Sequence, residues 1–239
     1  MTRARVAPDH FGVVLAMLVA AYVLSVLSSE PAVQTTVAVL YLVTLFLAVR
    51  TSRPGGWMRV TGRVVPVVGA VAIGVALAAL GHRDAAGVTD TVLVVVLAVT
   101  IVVVLARVLT RPDVNGSVVA GAVSAYLLLG VLFARVFGVV SWLQAPFFAD
   151  GSAATAQSLQ YFSFTTLTTL GYGDLTAASD AGRGLAMLEA LAGQLFLATL
   201  IARLVASFHR TSQHAAAAST EVAQRDVGIG EPGAVDDGT

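Results

Sequence analysis

Six apolar runs with few charged residues constrain the fold of this chain more than any other feature. Each run is close to the ~20 residues that an α-helix needs to cross the hydrocarbon core of a bilayer. Only 12% of the 239 residues are charged, whereas soluble domains are about 25% charged. We therefore expect an all-α, multi-pass protein of the plasma membrane. The runs cover residues 11–29, 32–49, 64–81, 91–106, 117–140 and 185–207.

The first run follows Arg3 and Arg5, a pattern that also precedes the apolar part of a secretory signal peptide. The run is long, lacks a convincing small-x-small cleavage site and is followed at once by a second apolar run. We therefore interpret it as the first of six transmembrane helices.

The arginines are distributed unequally between the two sides that six spans would create. Arg83, Arg135 and Arg183 belong to one side, whereas ten arginines flank the spans on the opposite side. Because cytoplasmic segments carry the excess of positive charge, this distribution predicts that both termini are cytoplasmic. The cytoplasmic set is Arg3, Arg5, Arg50, Arg53, Arg59, Arg63, Arg107, Arg111, Arg203 and Arg210.

Acidic residues lie on the predicted outer side. They have two interpretations: they raise the local concentration of cations, or they supply the ordinary polarity of loops that lack basic residues. The set is Glu30, Asp84, Asp90, Asp150, Asp174 and Asp180.

Residues 168–174 read Thr-Thr-Leu-Gly-Tyr-Gly-Asp and lie between the last two apolar runs. Gly171 and Gly173 can adopt the unusual φ/ψ values that would allow the carbonyl oxygens of residues 169–173 to line up. A ring of such carbonyls can replace the water around a bare cation. We call residues 169–173 the TLGYG segment and predict that it is a cation filter.

The TLGYG segment resembles the selectivity filter of the potassium-channel family, with Leu170 in place of the usual valine. The resemblance implies a K⁺-selective channel, not an enzyme, with K⁺ as the permeant ion and no cofactor. It also implies that K⁺ binds at Thr169, Leu170, Gly171 and Tyr172, and that Gly173 closes the outer turn of the filter.

The same resemblance implies a fold of six transmembrane helices plus a re-entrant pore helix over residues 156–168 and a filter loop. One filter strand cannot surround an ion, so we expect a fourfold homotetramer in a lipid bilayer. The predicted domains are a four-helix transmembrane domain (residues 1–112), a pore domain (residues 113–210) and a disordered cytoplasmic tail (residues 211–239).

Several residues near the TLGYG segment are candidates for supporting it. The aromatic rings would wedge the pore helix against its neighbours, although an interfacial aromatic belt is the alternative interpretation. Asp174 would lie at the filter mouth and accept hydrogen bonds from the pore-helix side. Thr165 occupies the place where similar channels often carry a carboxylate, so the usual link to Asp174 is in doubt. The support residues are Tyr161, Phe162, Phe164, Thr165, Thr168 and Asp174.

The last apolar run contains three further candidate residues. Gly193 is either a gating hinge or a site of tight helix packing. Glu189 is an intramembrane carboxylate whose expected partner is Arg183, in a structural ion pair, or a hydroxyl of the pore helix. Gln194 is expected to form a hydrogen bond between helices rather than to contact ions.

The fourth run carries no charge over residues 91–106, and only Arg107 and Arg111 follow it. A voltage sensor needs several regularly spaced basic residues in that segment. The first four helices therefore occupy the position of a voltage sensor without its charges, and we expect little or no intrinsic voltage gating.

Two other functions remain open, a non-selective cation channel of the same architecture and a secondary potassium transporter. The retained glycines and tyrosine of the TLGYG segment disfavour the first, and the single half-span disfavours the second. The four histidines lie near ends or loops, which disfavours a membrane enzyme. Zero net charge gives no reason to expect a nucleic-acid partner, and no motif indicates a small-molecule substrate other than K⁺. The histidines are His10, His82, His209 and His214.

Overall fold

A computed structural model of the chain describes residues 11–28, 30–52, 56–110 and 116–228. Within these ranges the chain forms seven α-helices and no strand, which confirms the all-α expectation for this part of the protein. The helices are α1 (Phe11–Leu27), α2 (Pro31–Ser52), α3 (Gly56–Ala79), α4 (His82–Thr110), α5 (Gly116–Leu143), α6 (Ala156–Leu167) and α7 (Asp180–Gly228).

Three helical segments of the described chain are long and apolar enough to cross a membrane. They lie in α4, α5 and α7, over His82–Thr110, Gly116–Leu143 and Asp180–Arg203. Helices α1, α2 and α3 contain shorter apolar stretches. Each of the six predicted runs thus coincides with a helix. These helices indicate a membrane protein.

Helix α4 begins at His82, well before the predicted apolar run, so Asp84 and Asp90 belong to a helix. Both residues lie near the beginning of this helix, and their location on the outer side stays a prediction. The helix tolerates them because each carboxylate has a partner on α5. Arg135 Nη1 lies 3.2 Å from Asp90 Oδ1, and Trp142 Nε1 donates a hydrogen bond of 3.1 Å to Asp84 Oδ1.

Helix α5 packs closely against α4 and also contacts α1 and α6. The Arg135–Asp90 pair lies in the α4–α5 interface, with the Arg135 residue only 8% exposed. Gly138 leaves room for this pair, because a Cβ at this position would displace the carboxylate of Asp90. A second interface joins α2, α3 and α4 through apolar side chains. Its buried residues are Leu42, Leu45, Ile73, Val96 and Val103.

The chain forms two compact units, Met1–Leu197 and Ala198–Thr239. In the second unit, residues predicted to be disordered from position 211 onward are helical as far as Gly228. The sequence allows the first part of this extension, because residues 214–219 can prolong the last helix. The helix continues further, and neither proline nor glycine interrupts it before Gly228. The remainder of the predicted tail lies outside the described residues.

Candidate functional site

Helix α6 is too short to cross a bilayer. Its 12 residues extend ~18 Å, against a hydrocarbon thickness of ~30 Å. A capping box fixes where it starts: Ser158 N donates to Thr155 Oγ1 at 3.1 Å, and Thr155 N donates to Ser158 Oγ at 2.8 Å. The helix ends at Leu167, so the TLGYG segment begins almost directly beneath its last turn.

One face of α6 is held by a cluster of phenylalanines from α5 and the following loop. Phe162 packs against Phe137, Phe147 and Phe148, with ring-centroid distances of 5.0, 5.7 and 5.8 Å. All four side chains are buried. Edge-to-face contacts of this kind stabilise by about 0.5–1.5 kcal/mol each beyond their burial. The cluster therefore anchors α6 to α5.

Phe164 also fixes α6, through contacts with α5 and α1. Its ring fills a recess at Gly130 of α5, where a Cβ would lie 2.8 Å from the Phe164 Cζ atom. On its other side the ring meets Tyr22 of α1 edge-on, with centroids 5.0 Å apart. Of the three predicted aromatic supports, Phe162 and Phe164 position the helix, whereas Tyr161 reaches the segment itself.

Helix α1 forms a second anchor for α6, which the sequence analysis missed. Ser25 Oγ donates a 2.8 Å hydrogen bond to Gln160 Oε1, and both side chains are buried. Nearby, Gln157 Nε2 donates to the Val26 carbonyl at 2.9 Å. The available signal was polar: one serine within an apolar run, and two glutamines in a helix of membrane character.

The backbone of the TLGYG segment has positive φ at every second residue. The values are 57° at Thr169, 49° at Gly171 and 78° at Gly173. The two glycines were predicted to adopt unusual conformations, and they do. Thr169 was not predicted to adopt one, because a β-branched residue with positive φ is a genuine outlier. Alternation of hand along a backbone turns successive peptide groups toward one side, as it does in anion-binding nests.

Two hydrogen bonds of Thr169, together with one of Gly171, accompany this strained conformation of Thr169. Its backbone N donates to the Thr166 carbonyl at 2.9 Å, and Gly171 N donates to the Thr165 carbonyl at 3.1 Å. The Thr169 hydroxyl donates to the Thr168 carbonyl at 2.7 Å. A residue held in this way costs of order 1–3 kcal/mol and is typical of functional sites.

The Thr165 and Thr168 hydroxyls are used within α6. Thr165 Oγ1 donates to the Phe162 carbonyl at 3.0 Å, and Thr168 Oγ1 donates to the Phe164 carbonyl at 2.7 Å. Thr165 therefore does not replace the carboxylate that similar channels carry at this position.

Asp174 receives its hydrogen bond from Tyr161 instead. The Tyr161 phenol donates to Asp174 Oδ2 at 2.9 Å. Its ring is parallel to that of Tyr172, with centroids 6.5 Å apart. The hydrogen bond to Asp174 raises the pKa of Tyr161, so the phenol keeps the proton that it donates.

Two residues of α7 lie close to the end of α6 and to the first residue of the TLGYG segment. A Cβ at Gly193 would lie 2.6 Å from the Leu167 carbonyl oxygen, so this position needs a glycine for packing; the hinge role stays a prediction. Gln194 Nε2 lies 3.4 Å from Thr169 Oγ1, to which it donates. Gln194 thus bonds to the TLGYG segment itself.

Glu189 is fully buried on the same face of α7 as Gly193. Its Oε1 contacts the Ser163 hydroxyl of α6, which is one of the two predicted partners. Arg183 is not its partner: it donates to the Ala177 carbonyl at 3.0 Å and lies 4.0 Å from Asp180. The predicted ion pair is wrong, because residues six apart on a helix do not share a face.

Residues 121–210 match the model of a family described as ion channel. The match includes most of α5, all of α6, the TLGYG segment and the first part of α7. No curated protein and no solved structure matches the chain. The match and the apolar helices support an ion channel domain embedded in a lipid bilayer, with passive ion conduction rather than catalysis as its activity.

Proposed function

We propose that the protein is a potassium-selective channel that conducts K⁺ passively across the plasma membrane through the TLGYG segment. The observation that carries the proposal is the alternation of positive φ at Thr169, Gly171 and Gly173, in a segment held between a half-length helix and α7. A backbone with this alternation can present consecutive carbonyl oxygens to one ion pathway.

Each residue of the segment has a chemical role in this proposal. The carbonyls of Leu170, Gly171 and Tyr172 supply the middle and outer K⁺ sites, and Gly173 closes the outer turn. Thr169 supplies its carbonyl and its hydroxyl oxygen at the inner end. That oxygen has two lone pairs. One accepts from Gln194, which leaves the other for an ion.

Four copies of the chain form the filter around a common axis. Exposure in the single chain supports this assembly. Nothing lies within 4 Å of a Cβ placed on Gly171 or Gly173, so the space beside the segment is open. An apolar stripe on α7 is also uncovered, and neighbouring subunits or lipid would cover it. The exposed residues of the TLGYG segment are Leu170 and Tyr172, and those of the α7 stripe are Met187, Leu188, Leu191 and Leu195.

Six membrane spans with both termini in the cytoplasm complete the proposal. The domains are residues 1–112 for the first four helices and 113–210 for the pore. The orientation rests on the arginine distribution in the sequence, since Arg3, Arg5, Arg53 and Arg111 lie outside the described residues.

The deciding experiment is the reversal potential of the purified protein in planar bilayers under opposed K⁺ and Na⁺ gradients. We expect a reversal potential close to the K⁺ equilibrium potential. A value near zero would favour the non-selective cation channel. Flux that saturates at transporter rates, without unitary current steps, would favour the secondary transporter.

A further inference from the structure

The hydroxyl of Ser163 on α6 connects three helices. Its Oγ lies 2.6 Å from the carbonyl oxygen of Gly130 on α5 and 2.5 Å from Glu189 Oε1 on α7. Ser163 and Glu189 are both 0% exposed, and Gly130 is buried. These two contacts are therefore made away from bulk water.

A count of hydrogens decides which group donates. A serine hydroxyl has one hydrogen, a backbone carbonyl can only accept, and an ionised carboxylate can only accept. One hydrogen cannot fully satisfy two acceptors. Both contacts are satisfied when Ser163 donates to Gly130 and the carboxyl group of Glu189 retains a proton and donates it to Ser163.

Among the residues that the structure describes, no cation is paired with Glu189 to balance a negative charge. On α5 the titratable group close enough to sense its charge is the phenol of Tyr126. The buried cation of that helix, Arg135, is paired with Asp90. On α7 itself, Arg183 is turned toward Ala177 and Asp180.

The second carboxyl oxygen, Oε2, is buried without a hydrogen-bond partner. On α6 the polar contact is the neutral Ser163. An ionised carboxylate placed there would be both desolvated and unpaired, which is the costly arrangement for a buried charge.

We infer that Glu189 is protonated in the folded protein and that its proton is the link that joins α7 to α6 and, through Ser163, to α5. Glu189 is a positioning residue. When the proton is removed at alkaline pH, the Ser163 hydrogen turns toward the carboxylate, and the Gly130 carbonyl keeps its helical N–H donor but loses the hydrogen bond that joins it to α6. The consequence for conduction rests on the proposed potassium-channel function: K⁺ current falls as pH rises, because α6 is no longer fixed to both flanking helices.

Infrared difference spectroscopy of the full chain in liposomes tests the protonation directly. We expect a C=O stretching band of a protonated carboxylic acid at neutral pH that disappears in Glu189→Gln. The matched control Asp180→Asn, at an exposed carboxylate of the same helix, leaves the band in place. Absence of this band from the spectrum of the wild-type protein minus Glu189→Gln would overturn the inference.

A second variant keeps the inference falsifiable if Glu189→Gln fails to assemble. Ser163→Ala removes the acceptor of the Glu189 proton but not the proton. The carboxylic acid band should then shift to higher frequency and persist. A band that is unchanged in Ser163→Ala would show that Ser163 is not the acceptor and would overturn the link.

The pH profile of K⁺ current tests the positioning role. Glutamine donates an N–H where the protonated acid donates O–H, so Glu189→Gln should keep the current at neutral pH and lose the alkaline fall. Equal alkaline falls in the wild-type protein and Glu189→Gln would refute the positioning role. Absence of K⁺ selectivity in all variants would instead refute the proposed function and leave the infrared result standing.

Discussion

Single residues set the geometry of the TLGYG segment, and two of the three with positive φ are glycines. The left-handed conformation costs an L-residue roughly 1–2 kcal/mol, and glycine avoids this cost. Thr169 adopts the left-handed conformation in spite of this cost, and its hydrogen bonds to the end of α6 offset the strain. The chemistry of the segment therefore depends on a few backbone torsions more than on side-chain identity.

Replacing Gly171 with alanine should abolish selective K⁺ flux and leave the tetramer intact. The added Cβ meets no atom within 4 Å in the single chain, but φ is +49°, so the backbone relaxes toward a right-handed conformation and a carbonyl turns away from the ion pathway. Flux into K⁺-loaded liposomes measures the loss of selective flux, and size-exclusion chromatography measures whether the tetramer is intact.

Gly151→Ala is the matched control for that substitution. Gly151 also has open space and a positive φ, +77°, but it lies in the loop before α6. It should suffer comparable strain and retain selective flux. Equal loss of selectivity in both variants would show that general destabilisation, not the filter backbone, is responsible.

Tyr161→Phe should shorten the conducting lifetime of the channel without changing its ion selectivity. The substitution removes the donor to Asp174 while keeping the ring that stacks on Tyr172. Single-channel recording measures the effect. In an Asp174→Asn background the same substitution should have a smaller effect, and full additivity would contradict the coupling of the two side chains.

At the scale of elements, α6 is positioned by α1, α5 and α7 together. Phenylalanine packing holds it to α5, a buried Ser–Gln hydrogen bond holds it to α1, and the close approach of Gly193 to Leu167 holds it to α7. A 12-residue helix is marginal by itself. Its stability must therefore come from these tertiary contacts.

Gly193→Ala should lower the stability of the assembly by about 1–3 kcal/mol, the usual cost of overpacking. The new Cβ would lie 2.6 Å from a backbone oxygen and would force α7 away from α6. Gly184→Ala is the control on the same helix, where nothing lies within 4 Å of the added atom. That variant should be unchanged or more stable, by up to ~1 kcal/mol.

Thermal denaturation of the purified protein measures both glycine variants. The comparison also separates the two interpretations of Gly193. Reduced opening at unchanged stability would favour the hinge, whereas reduced stability of Gly193→Ala alone favours packing.

Ser25→Ala should destabilise the attachment of α6 by about 1–3 kcal/mol, because it leaves a buried amide oxygen of Gln160 without a donor. The measurement is the rate of hydrogen exchange at the backbone of residues 156–167, which should rise. Ser28→Ala, at the end of α1 and near solvent, is the control. Unchanged exchange in Ser25→Ala would mean that α1 does not support α6.

The sequence predicted helix positions well because the backbone N–H and C=O groups of an apolar run in lipid must hydrogen-bond within the run, and an α-helix achieves this. It also predicted a helix that begins at Ala156, because residues 156–168 are too few to cross the bilayer and therefore suit a re-entrant helix. It failed for the beginning of α4, because only the fold reveals that Asp90 has Arg135 as a partner. It left two options for Glu189, and helical phase decided between them: Ser163 faces it and Arg183 does not. Thr169 could not be anticipated, since its conformation follows from hydrogen bonds to α6 and not from its own preference.

At the scale of the whole molecule, we expect the first four helices to contribute contacts rather than mobile charge. The charged pair buried between α4 and α5, Arg135 and Asp90, is neutral as a unit. A sensor must carry net charge through the membrane field, and each elementary charge that moves contributes ~2.3 kcal/mol per 100 mV. Residues 91–106 of α4 contain no charge, so the four-helix part has little to move.

The conductance–voltage relation should therefore be shallow. We expect open probability in symmetric K⁺, with blocking divalent cations absent, to change by less than the ~50-fold that one fully transferred charge per 100 mV would produce. Adding arginines to α4 at Val95 and Val102, both exposed, would supply charges facing away from the bundle as a test of latent sensing. A steep relation in the unmodified protein would show that α4 or its neighbours move charge in a way that its apolar sequence does not provide.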